Sequence, residues 1–245
     1  MGAVSQEGDR ERDELRSPTS LVRDRLFSGA AIAFVLKVGG AGLAFLLQLV
    51  LARALGKELF STYVVAIAWV GVLVLIGKAG MDSAALRFLP EYRAKGAPGA
   101  QSGFRTASRR WVSGASIGTA LIGCAVVWLL SSRLGPTTSL TLYAAFASVP
   151  ILSLLQLHAG FLQAEKRIAA SQGPLLCGLP LVAIILVCIV FHVLEGDRNP
   201  AVAALLYGSA ALVALSVTLF IGRGGRETKE PAVFLDRSIW MNVGA

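Results

Sequence analysis

Residues 60–96, FSTYVVAIAWVGVLVLIGKAGMDSAALRFLPEYRAKG, decide the fold. From Phe60 to Gly80 the only formal charge is Lys78, and the run matches the ~20 apolar residues that carry a helix through ~30 Å of hydrocarbon. At Met81 the composition reverses, and Asp82, Arg87, Glu91, Arg93 and Lys95 follow before Gly96. An apolar run of spanning length therefore ends in a charged, mainly basic connection.

Five more runs share that character, near residues 29–52, 111–132, 138–161, 173–194 and 201–221. Lipid offers no partner to an unpaired backbone group, and no run alternates as a barrel strand must, so each is expected to be a helix. The expected fold is an all-α polytopic membrane bundle of six transmembrane helices. A polar head precedes it over residues 1–28, with Leu21, Val22, Leu26 and Phe27 patterned for a short surface helix. Residues 222–245 form a tail, or through Asp236-Arg237-Ser238-Ile239-Trp240 the lead-in to a seventh span.

Composition agrees. The 245 residues are 55% hydrophobic and 16% charged with a mean hydropathy of +0.66, too apolar for an ordinary soluble domain. The net charge of +8 sits in the connections, where it answers anionic headgroups of the bilayer. It lacks the basic–aromatic grooves that nucleic acid requires, so nucleic acid is not an expected partner.

Charge also sets orientation. Five Lys or Arg fall in the head, seven in 81–110 with Lys78, two in 162–172 and four after Ile221. The opposite side carries four, Arg53, Lys57, Arg133 and Arg198. The asymmetry predicts both termini and the 81–110 connection in the cytoplasm.

Within the spans, Pro150 and Pro180 each remove a helix hydrogen bond and are expected to kink their helices. Gly39, Gly40 and Gly42 resemble a phosphate loop only in composition; in an apolar run they read as sites of close packing or bending. Gly114 and Gly118 form a small-xxx-small pair on the third span. Cys124, Cys177 and Cys188 lie inside apolar runs without ligand or disulfide spacing and read as packing residues. His158 and His192 adjoin neither cysteine nor carboxylate and read as helix-end histidines. No catalytic constellation, metal-ligand set or nucleotide loop is present in the sequence, so neither an enzyme nor a cofactor is expected.

Three short motifs carry a family resemblance: Ala52-Arg53-Ala54-Leu55-Gly56, Gly80-Met81-Asp82 and Arg87-Phe88-Leu89-Pro90-Glu91-Tyr92. They resemble the first hairpin of the polysaccharide-biosynthesis flippases, within the multidrug/oligosaccharidyl-lipid/polysaccharide exporter superfamily. The resemblance implies a transporter of the cytoplasmic membrane that moves a lipid-linked oligosaccharide outward for surface polysaccharide biosynthesis. Such flippases have 12–14 spans in two bundles around a cavity. Six spans therefore imply an assembly half or a truncated form, completed by a second copy or a second half-transporter. A cation-coupled small-molecule exporter of the same superfamily is a second reading. It is disfavoured because Glu58, Asp82, Glu91, Glu165, Glu195 and Asp197 all lie at or beyond span ends. A membrane assembly partner or fragment that transports nothing is a third.

Lys37 is the one formal charge well within a span, about 12 Å from its cytoplasmic start at ~1.5 Å per residue. Its stem permits snorkelling. The alternative turns it into a cavity, where with Arg87 it would bind the substrate's phosphate or acidic sugar. Lys78, Asp82 and Glu91 are candidates for a cytoplasmic gate or a simple ion pair, Arg87 and Glu91 being one helical turn apart.

Overall fold

The structure, a computed structural model, describes the backbone of residues 18–193 and 198–223 and the side chains of 31–191 and 198–222. The head before Pro18, Glu195, Asp197, the side chain of His192 and the tail after Arg223 with Asp236–Trp240 lie outside the described residues. Within them the chain is all-helical: α1 Pro18–Lys78, α2 Met81–Ala94, α3 Pro98–Leu129, α4 Pro136–Phe146, α5 Val149–Ala164, α6 Ile168–Gln172, α7 Leu179–Cys188 and α8 Pro200–Arg223. Two π-helical turns, Gly173–Gly178 and Ile189–Val193, flank α7.

Five helical stretches are long and apolar enough to cross a membrane: Ala31–Ala94, Pro98–Leu129, Pro136–Ala164, Ile168–Phe191 and Pro200–Gly222. The chain is a multi-pass membrane protein. Its outer surface fits that solvent, since Phe34, Phe45, Trp69, Leu75, Leu121, Trp128 and Phe220 all stand exposed. The first stretch has 64 residues, which would extend ~96 Å if straight. It is not one rod. Gly56 leaves helical geometry at φ 75, ψ 170, a region that only glycine enters without strain. Ala79 and Gly80, at φ 46 and φ 73, break it again before α2.

The sequence reading treats 81–110 as a loop. The structure makes nearly all of it helix: α2, a turn at Lys95–Ala97, and then the first turns of α3 from Pro98. Pro98 occupies the first helical position, where its fixed φ helps and its missing N–H costs nothing. The helix begins thirteen positions before Trp111 although Gly99, Ser102, Gly103, Thr106 and Ser108 are weak helix formers; Gly99, Gly103 and Ser108 are buried, so packing outweighs propensity here.

Both prolines act at joints. α4 stops at Phe146 and α5 restarts at Val149, with Pro150 in its first turn and Ser148 Oγ donating to Ala145 O at 2.6 Å. Pro180 sits at the start of α7, directly after the Gly173–Gly178 π-turn. Each span is thereby broken into two pieces.

The centre of the bundle is α5. It packs on α1, α2, α3 and α8, and 56% of its span window is buried against 22–33% for the others. Buried Leu152, Leu155, Val149 and Phe146 meet Leu51, Tyr63, Val70, Val187 and Ala211 in the main core. A smaller cluster, Met81, Ala85, Leu89, Val112, Leu157 and Phe161, seats α2 on α3 and α5.

Two glycines permit close helix approach. A Cβ on Gly40 would lie 2.8 Å from Leu176 Cβ and from Leu176 O, and one on Gly77 would lie 2.9 Å from Ser116 Cα. The Gly39-Gly40-Gly42 group is thus a packing site at Gly40, while Gly39 and Gly42 face open space. Gly114 and Gly118 also face open space, so among the described residues they bring no helix close. All three cysteines are free thiols, and Cys177 Sγ approaches Leu36 O at 3.7 Å.

Candidate functional site

Polar side chains gather at one end of the bundle, between α3, α5 and α8. On α3, Arg105 and Arg109 are one turn apart and share a face. On α5, His158, Phe161 and Glu165 follow at spacings of three and four and share another. These two faces and the last turns of α8 enclose a cavity of about 220 Å³, lined by Arg105, Arg109, His158, Phe161, Glu165 and Thr218 among others.

Phe161 is its pivot. The Arg105 and Arg109 guanidiniums stand 5.9 and 6.0 Å from its ring centroid, and the His158 ring meets it edge-on at 5.6 Å. Three basic groups thus surround one aromatic ring. Arg105 Nη2 donates to Glu165 Oε1 in an ion pair whose side chains are 19% and 15% exposed. His158 Nδ1 lies 2.8 Å from Leu154 O and must be the donor, since a carbonyl only accepts. That leaves Nε2 directed elsewhere, and it is buried without a hydrogen-bond partner among the described residues, as is Arg105 Nε. The helix-end reading of His158 accounts for one ring nitrogen and not for the other.

Neighbouring contacts hold the pocket in shape. The chain turns after α5 through Lys166 at φ 62. Arg167 Nη1 donates to Ile221 O at 3.2 Å, placing a cation on the last carbonyls of α8. Ser171 Oγ donates to Ala159 O at 2.7 Å. On the other side, Gly160 lets α2 approach, because a Cβ there would lie 3.1 Å from Asp82 O.

The residues singled out in the sequence distribute around this end. Lys78 Nζ and Asp82 Oδ2 pair at 2.6 Å across the α1–α2 break, with side chains 15% and 23% exposed. Glu91 pairs with Lys95 at 2.7 Å and not with Arg87. That hydrogen bond holds the Glu91 carboxyl below its ordinary pKa and raises that of Lys95. Arg87 is exposed and lies over the neighbouring Phe88 ring at 5.8 Å. Lys37 is exposed on α1 beside Phe34, Val35 and Val38, and makes no ion pair among the described residues. Lys78 and Asp82 are therefore brought together; Lys37, Arg87 and Glu91 are not joined to them by any described ion pair.

The Arg87–Tyr92 motif has a packing role. Phe88 and Tyr92 stack at 6.2 Å, and both rings pack on Phe104 of α3, at 5.7 and 6.4 Å. Leu89 enters the smaller core cluster that also contains Phe161. The motif thus seats α2 against the helices that carry the cavity.

Residues 26–237 match the family described as polysaccharide biosynthesis protein. The chain belongs to that family. No curated protein and no solved structure matches it. The match spans the whole bundle, well beyond the hairpin that carries the sequence resemblance.

Arg105, Arg109 and Glu165 were not among the sequence candidates. Their helical spacing is visible in the sequence, Arg105-x3-Arg109 and His158-x2-Phe161-x3-Glu165, but nothing there says that the two faces meet. Arg105 and Arg109 read as topology charges in a loop until α3 is seen to start at Pro98.

Proposed function

We propose that this chain is a transporter of flippase type, moving a lipid-linked oligosaccharide across the cytoplasmic membrane for surface polysaccharide biosynthesis. The family match over residues 26–237 carries the reading. The basic, half-buried end of a membrane helical bundle supports it, since a phosphate-linked lipid needs cationic donors where it leaves the headgroup layer. Lys37 and Arg87, both exposed, are the proposed contacts to the substrate, on the side where a second copy or a second half-transporter would complete the cavity. Lys78, Asp82 and Glu91 are the proposed gate.

Deleting the gene in its native host should lower surface polysaccharide and accumulate lipid-linked intermediates. Unchanged levels of both would sink the proposal. In complemented cells, Lys37→Ala should insert at normal abundance yet lower export by about tenfold, the equivalent of ~1.4 kcal/mol of charge-assisted contact. Lys37→Arg should recover part of the loss. Normal export by Lys37→Ala would make Lys37 a snorkelling residue only.

Six crossings with cytoplasmic termini are part of the proposal. Gly40 abuts Leu176, Ser171 bonds Ala159, and Gly160 abuts Asp82. Residues 40 and 82 therefore both lie near the end of the bundle that holds residues 159–176. A chain that leaves this end after Gly40 and is back at it by Asp82 must turn around, and Gly56 is where its helix breaks. From 40 to 56 and from 56 to 78 the rises are ~24 and ~33 Å, each of the order of the hydrocarbon thickness. In a background without native cysteines, Ala94→Cys should resist an impermeant thiol reagent in intact cells, while Ser132→Cys and Arg198→Cys should react; all three positions are exposed. The opposite pattern would reverse the orientation.

A further inference from the structure

The side chains that wall the cavity between α3, α5 and α8 leave two opposite hydrogen-bonding needs. His158 is 9% exposed, and its Nδ1–H is given to Leu154 O. A second proton, at Nε2, would have no acceptor among the described residues, so the ring stands neutral and Nε2 presents a buried lone pair that lacks a donor. Arg105 gives Nη2 to Glu165 Oε1, and its Nε–H, also buried, lacks an acceptor among the described residues. Leaving either atom unsatisfied is costly. Thr218 is committed elsewhere, its hydroxyl donating to Ala214 O at 2.8 Å, while Phe161 and Leu162 supply an apolar wall.

We propose that this cavity binds a neutral polyol inside a single bundle, with one hydroxyl donating to His158 Nε2 and the same or an adjacent hydroxyl accepting from Arg105 Nε. A hydroxyl is donor and acceptor at once, which is what the two atoms together require. The need for both roles also selects against charge. A fully ionised anion would bring only acceptors to the His158 lone pair and would press against the Glu165 carboxylate. An ammonium would bring only donors to Arg105 Nε–H and would meet the guanidinium charge. The Arg105–Glu165 pair is balanced within itself and asks no charge of a ligand. The C–H face of a polyol is apolar and suits the wall of Phe161 and Leu162. At about 220 Å³ the space is several times the ~30 Å³ share of one liquid water, so one polyol replaces several waters that would each be ordered separately. The source is either the sugar headgroup of a membrane glycolipid or a free polyol. The inference stands on one ring tautomer and two unpaired atoms, and not on the transport reading.

The chain has two histidines, so the full-length His192→Gln protein labelled with nitrogen-15 histidine reports on His158 alone. It is purified in an amine-oxide detergent free of sugar, at a mildly alkaline pH where an imidazole with an ordinary pKa, about 6.5, is neutral. The ring nitrogens are followed by NMR while D-glucose, myo-inositol or glycerol is titrated. At least one of the three should move the Nε2 resonance saturably in the direction of an accepted hydrogen bond. Trimethylamine N-oxide, an excluded osmolyte with no hydrogen bond to donate, should not move it. Arg105→Lys keeps a cation beside Glu165 and removes the Nε–H, and it should weaken the apparent affinity about tenfold. The resonance is read in the parent protein, so the test survives if Arg105→Lys proves unstable. The same protein in nanodiscs with and without monoglucosyl diacylglycerol separates the sources: a response to the glycolipid alone assigns the site to a headgroup, and a response to the free polyols alone assigns it to a solute. An Nε2 resonance that none of these probes moves overturns the proposal and leaves the cavity to water. So does a shift that trimethylamine N-oxide reproduces, or an affinity undiminished in folded Arg105→Lys. Failure here leaves the transport reading untouched, which is decided by export in cells.

Discussion

Gly77→Leu is expected to remove most of the folded protein from the membrane. Gly77 is buried on α1 where it crosses α3, and even a single Cβ would lie 2.9 Å from Ser116 Cα, 3.1 Å from Ser116 Cβ and 3.2 Å from Thr119 Oγ1. The first of these is main chain, and Ser116 is fully buried, so the neighbour has nowhere to turn. Membrane helices associate through such small-residue contacts because lipid tails leave little hydrophobic drive between them. Gly77→Ala should cost about 1–3 kcal/mol by forcing the helices apart, and leucine considerably more. Gly71 serves as the control: it lies on the same helix with open space around its Cβ direction. Gly71→Ala should be neutral or stabilising by about 0.5–1 kcal/mol through helix propensity. Thermal unfolding in detergent and abundance in membranes read both. Equal behaviour of Gly77→Ala and Gly71→Ala would show that the α1–α3 contact is not tight.

Arg105→Gln is expected to destabilise the protein more than the double substitution Arg105→Gln/Glu165→Gln. Alone it leaves the Glu165 carboxylate in a shielded pocket without its donor. Removing one partner of a buried pair costs about 3–5 kcal/mol; because both side chains keep some exposure, about 2–3 kcal/mol is the appropriate figure. The double variant removes the stranded charge with the donor and should recover 1–2 kcal/mol of that loss, roughly. A thermodynamic cycle of the two single variants and the double variant measures the coupling. Additive effects would mean that the pair contributes nothing beyond its separate groups.

Much of the architecture is readable from residue order. A stretch such as Phe60–Gly80 admits one solution in lipid, because each backbone polar group must be satisfied within its own segment. The positions of Pro150 and Pro180 likewise announce where regular helix must fail. The amphipathic stretch after Met81 is harder. Its charges mark a connection between spans equally well as a loop or a helix, and the aromatic contacts of Phe88, Tyr92 and Phe104 that favour helix join positions on two different elements.

The candidate site divides the same way. Local spacing suffices for Lys78 and Asp82, which meet because they are four residues apart along the chain. It misleads for Arg87 and Glu91, equally spaced, because Lys95 offers Glu91 a second partner at the same interval on its other side. Arg105 and Glu165 are 60 residues apart, and no periodicity relates them. Apolar pattern is a property of each segment alone, so it survives in the linear order and announces the helices and the membrane, while the family resemblance rests on the short motifs at residues 52–56, 80–82 and 87–92. Which helix faces meet depends on small-residue contacts such as Gly40–Leu176, Gly77–Ser116 and Gly160–Asp82. Those contacts exist only once the helices pack, and that packing brings two arginines, a histidine and a glutamate around Phe161.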